Sequence, residues 1–149
     1  MTAPPDNFST DKSRSSACYA SAAQSAGFLR AGDKYRRDRM DAADMLSIEE
    51  AAEVAGTSRN EIEEWIKSHR CIAVFDRCRQ YKLPRWQLEP NVWNVLQSLT
   101  SALCATDGWQ VLVFLETRAL ALGGETPRTA LEQGVNAQRI LALATAEAH

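Results

Sequence analysis

Histidine is almost missing from this chain of 149 residues, which carries only His69 and His149. The four cysteines, Cys18, Cys71, Cys78 and Cys104, include no Cys-x-x-Cys pair, and the histidines complete no zinc pattern with them. No metal or other cofactor is therefore expected, and the thiols read as reduced. A Gly-rich phosphate loop is also missing, so there is little from which to build an enzyme, and a non-enzymatic role is expected. No apolar run is long enough to span a membrane, and the start MTAPPDNFSTDKSRSS lacks the apolar stretch of a secretory signal. Both features predict a cytoplasmic protein with no membrane partner. There is no basic excess either. With a formal net charge of −2, any nucleic acid would have to be held by a local patch and not by bulk charge.

Hydrophobic residues make up 45% of the chain and charged residues 24%, enough for a core. That core does not start at the beginning. Residues 1–44 read as a polar extension, first too rich in Ser, Thr, Pro, Asp and Lys to order, then an Ala-rich weak helix and a charged, solvated one. From 45 to 88 the pattern sharpens. Ser47 with Glu50, and Ser58 with Glu61, each have the spacing of a capping box. They open two short helices separated by Gly56, and Ile62, Trp65 and Ile66 share one face of the second. This is the outline of a helix-turn-helix, with Ala51, Ala52 and Ala55 small enough for close approach. CIAVF then reads as a strand, DRCR as a turn and QYKLP as a returning strand, ended by Pro84, which has no N–H to donate.

Residues 89–149 read as a compact bundle of short helices. Val92, Val95, Leu96, Leu99 and Leu103 recur at helical spacing, and Thr106 or Asp107 can cap a further helix in which Trp109, Leu112 and Val113 repeat the pattern, widened by Phe114 and Leu115. Gly123 and Gly124 then allow a sharp turn. Thr126 is suited to cap, and Pro127 to begin, a short helix that Gly134 stops, and Asn136 can cap the last one, where Ile140, Leu143 and Ala144 point one way. The fold class expected is mainly α: a small helix-turn-helix with a short β-hairpin, followed by this bundle.

In a helix-turn-helix the start of the second helix enters the major groove, and here that start is Ser58, Arg59 and Asn60. Arg and Asn can read guanine and adenine edges. Lys67, Arg70, Arg77 and Arg79 complete the expected DNA-binding set, the last two at the hairpin tip. Glu61, Glu63 and Glu64 oppose phosphate, so DNA binding calls for a homodimer or larger assembly that doubles the basic footprint.

The run GWQVLVFLETRALALGGETPRTALEQG resembles the toxin-binding domain of the Xre/MbcA/ParS antitoxin family, through Trp109, Phe114, Leu115, Leu122, Gly123, Gly124, Thr126, Pro127, Ala130, Leu131 and Gly134. LSIEEAAEVAGTSRNEIEEWI with YKLPRWQL is similar to the DNA-binding front half of one branch, with Pro84, Arg85, Trp86 and Gln87 at the junction. The resemblance implies a bacterial antitoxin that neutralises a cognate toxin, commonly a RES-domain protein that consumes NAD, and that often binds its own promoter. It also implies that the partner lies against the C-terminal helices. Gly123, Gly124, Thr126 and Pro127 would shape that surface, and Glu125, Arg128, Glu132 and Arg139 would touch the partner. The alternative is a stand-alone transcription regulator or mobile-element accessory protein that uses the C-terminal helices to dimerise.

Overall fold

Of the α-helices that follow residue 47, all but the one beginning at Leu96 start from a side-chain cap that the sequence encodes. The structure, a computed structural model, describes residues 32–75 and 80–148. The extension expected over 1–31, the hairpin turn with Arg77, Cys78 and Arg79, and His149 lie outside the described residues. The chain divides into two units, Met1–Arg39 and Met40–His149. In the first unit residues 32–39 are described, and residues 32–40 are helical.

The second unit begins with a two-residue strand, β1 (Met45–Leu46). Helix α1 (Ile48–Ala55) follows from the Ser47 cap, and its capping box is complete: Glu50 N donates to Ser47 Oγ at 3.1 Å and Ser47 N donates to Glu50 Oε1 at 3.0 Å. The Ser47 backbone N–H, and then the hydroxyl, hold the Glu50 carboxyl below its ordinary range. That contribution is present above the unfolded carboxylate value and fades as pH falls through the lowered one. Gly56, at φ 70°, turns the chain, and Ser58 caps α2 (Arg59–Lys67) by accepting from Glu61 N at 3.2 Å. The second capping box is half formed, because the return bond from the Ser58 N–H to the Glu61 carboxylate is not made.

Strands β2 (Val74–Phe75) and β3 (Tyr81–Pro84) pair antiparallel, Val74 opposite Lys82 and Phe75 opposite Tyr81. The strand expected from residue 71 starts at Val74. β1 joins the other edge of β3, with Met45 opposite Pro84, so the expected hairpin is part of a three-stranded sheet in the order β1-β3-β2. A 3₁₀ turn over Arg85–Leu88 leads to α3 (Pro90–Trp93) and α4 (Leu96–Leu103). The single helix expected here is two, divided at Asn94 and Val95, yet Val92, Val95, Leu96 and Leu99 are all buried. Asp107 caps α5 (Gly108–Glu116) in a further capping box with Gln110. A 3₁₀ turn over Leu120–Leu122, then α6 (Pro127–Glu132) and α7 (Ala137–Ala148) complete the chain.

The molecule is thus mainly helical with a small antiparallel sheet. Among the described residues the buried apolar side chains form two cores. Leu46, Ile48, Ala51, Ala52, Ile62, Ala73 and Leu83 hold the helix-turn-helix to the sheet. The larger core joins α3 through α7, with Leu99, Leu112, Leu115, Ile140 and Ala144 fully enclosed. α4 packs along α7, and α6 is held by α3 and α5. On α5 the buried positions are Trp109, Val111, Leu112 and Leu115. Val113, expected on that face, is exposed, because a helix apolar nearly all round leaves its inward side to be chosen by its neighbours.

Candidate functional site

The C-terminal turn is built as the glycines require. Gly123 and Gly124 adopt φ of 68° and 86°, a region that other residues enter at a cost of about 1 kcal/mol or more. They allow residues 119–125 to close on themselves. Ala119 N donates to Glu125 O at 3.0 Å, while Ala119 O accepts from Leu122 N and Gly124 N, both at 3.0 Å. Thr126 caps α6 by accepting from Thr129 N at 3.1 Å, and Pro127 takes the first helical position. Asn136 Oδ1 accepts from Gln138 N at 2.8 Å and opens α7. From α7, Arg139 Nη2 donates to Ala121 O and ties the turn to the last helix.

The charged residues expected to touch a partner are used differently. Arg128 Nε pairs with Glu132 Oε1 at 2.7 Å, with both side chains one-third exposed. The Arg128 guanidinium also lies over the Trp86 ring, 4.6 Å from its centroid, a cation–π contact. Arg128 therefore fastens α6 to the 3₁₀ turn after β3. Arg139 braces the turn itself. Glu125 is exposed. The pattern residues Trp109, Leu115, Pro127, Ala130 and Leu131 are buried and specify the shape of the domain, not its contacts.

Sequence reasoning missed the most exposed large apolar side chain among the described residues. Leu120 is 97% exposed, whereas Leu122 packs against the larger core. A signal for it exists in Leu120-Ala121-Leu122. Two leucines two positions apart in a helical turn point in different directions, so one of them faces water.

The expected DNA-reading face is acidic. From Ser47 to Arg70 six glutamates stand against Arg59, Lys67 and Arg70, a net of −3 with His69 neutral. Ser58 spends its hydroxyl on its own helix. Arg59 is clasped by two carboxylates, Glu63 at 3.1 Å and Glu49 of α1, and their hydrogen bonds and charge raise its pKa. Lys67 lies 3.7 Å from Glu64. Asn60 and Arg70 have exposed side chains.

An apolar hollow beside the helix-turn-helix is lined by Leu46, Ile62, Trp65, Cys71, Leu83 and Trp93, among others; Cys71 is the one titratable group there. Burial pushes that thiol up to about 12, so it carries no thiolate at neutral pH. Cys104 is exposed at the end of α4. With Cys18 and Cys78 replaced by serine, maleimide at pH 7.5 is expected to label Cys104 at least about tenfold faster than Cys71. Equal rates, followed by mass spectrometry, would contradict the burial of Cys71. Among the described residues no cluster of His, Cys, Asp or Glu could hold a metal ion, and no helix is long and apolar enough to cross a membrane.

Compared with known families, curated proteins and solved structures, the chain finds no match in any of the three.

Proposed function

We propose that the protein is an antitoxin whose C-terminal helices clasp a cognate toxin, a RES-domain protein that consumes NAD. The observation that carries this reading is the turn at 119–125: closed by its own backbone bonds, braced by Arg139, and presenting a bare leucine to solvent. A surface fixed in advance loses little entropy when a partner settles on it. The resemblance of residues 109–134 to a toxin-binding domain supplies the class of partner, and the chemistry is the partner's. The test has two parts: whether a gene beside the one for this chain encodes a RES-domain protein, and size-exclusion chromatography of the full chain mixed with that protein. Co-elution in a defined ratio is expected, and separate elution at micromolar concentrations would end the proposal.

The helix-turn-helix favours a second activity, binding of the promoter by an assembly of two or more copies. Two short helices joined at the Gly56 turn, with Asn60 and Arg70 exposed, support this reading. The glutamates that clasp Arg59 oppose phosphate. The double variant Glu49→Gln, Glu63→Gln should therefore bind its own upstream DNA about tenfold more tightly at low salt than the wild type, through freed Arg59 and two fewer negative charges. Fluorescence anisotropy checks this. If neither protein prefers the upstream DNA to random duplex, promoter binding is excluded and the antitoxin reading stands.

A further inference from the structure

We draw no further inference here: the strongest candidate, the apolar hollow beside the helix-turn-helix lined by the half-buried Trp65, Cys71 and Trp93, is an unpartnered apolar face, and nothing in the structure shows what covers it.

Discussion

Gly108→Ala is expected to cost at least about 3 kcal/mol of folding free energy, or to prevent folding altogether. A Cβ built on Gly108 would overlap the Ala73 carbonyl oxygen and stand 2.9 Å from its carbonyl carbon. Both atoms are backbone, so no side chain can swing aside. Relief requires α5 to move away from the segment before β2, and α5 carries Trp109, Val111, Leu112 and Leu115 into the larger core. One methyl group would thus disturb four buried side chains in a close-packed interior. Gly32→Ala is the control, since its added Cβ meets nothing within 4 Å. Urea unfolding of both variants measures the effect. A Gly108→Ala protein within about 0.5 kcal/mol of wild type would contradict the packing of α5 on Ala73.

Gln87→Leu is the second large effect expected, about 3 kcal/mol of destabilisation. Gln87 is 1% exposed. Its amide acts as a short piece of strand: Oε1 accepts from Ile72 N at 2.6 Å and Nε2 donates to Ile72 O at 2.8 Å. Continued by two residues, the β2–β3 register sets Pro84 opposite Ile72; proline has no N–H to donate, and the glutamine three positions later pairs Ile72 instead. Leucine fills a similar volume but leaves a buried N–H and a buried C=O without these partners, each costing about 1–3 kcal/mol. Gln87→Glu keeps the shape, loses the donor and places a carboxylate beside a carbonyl, so it should be no milder. Urea unfolding is again the measurement. A Gln87→Leu protein as stable as wild type would show that Ile72 finds other partners.

What could be read from the sequence was local. Capping geometry is written within four residues, so Ser47 with Glu50, Asp107, Thr126-Pro127 and Asn136 all mark helix starts where the structure has them. Gly56, Gly123 and Gly124 mark the turns for the same reason. Features that depend on distant neighbours were not legible. β1 is two residues long and exists because β3 offers it an edge. The inward side of α5 was ambiguous because VLVFL is apolar on every side, so Val111, and not Val113, turned inward. The break at Asn94 and Val95 left the apolar spacing of α3 and α4 unchanged and so gave no sign in it.

The candidate sites divide in the same way. That residues 119–134 form a shaped turn followed by a short helix was readable from Gly, Thr and Pro. The use of the long charged side chains was not. Arg59, Arg128 and Arg139 were expected to reach outward, and each instead finds an acceptor or a ring within the molecule. A guanidinium on a flexible stem takes whichever partner the fold brings near, and spacing along the chain does not reveal it. The exposure of Leu120 is hidden for the opposite reason: apolar residues are expected inside, and only the closed turn shows that this one stays out.

The central proposal is that this chain silences an NAD-consuming partner by covering it. NAD content in cells expressing the proposed RES-domain partner, with and without the full chain, measures this most directly. The partner alone should deplete NAD and arrest growth, and the two together should hold NAD and growth near the level of uninduced cells. NAD depletion that proceeds equally in the presence of excess soluble chain would contradict the proposal.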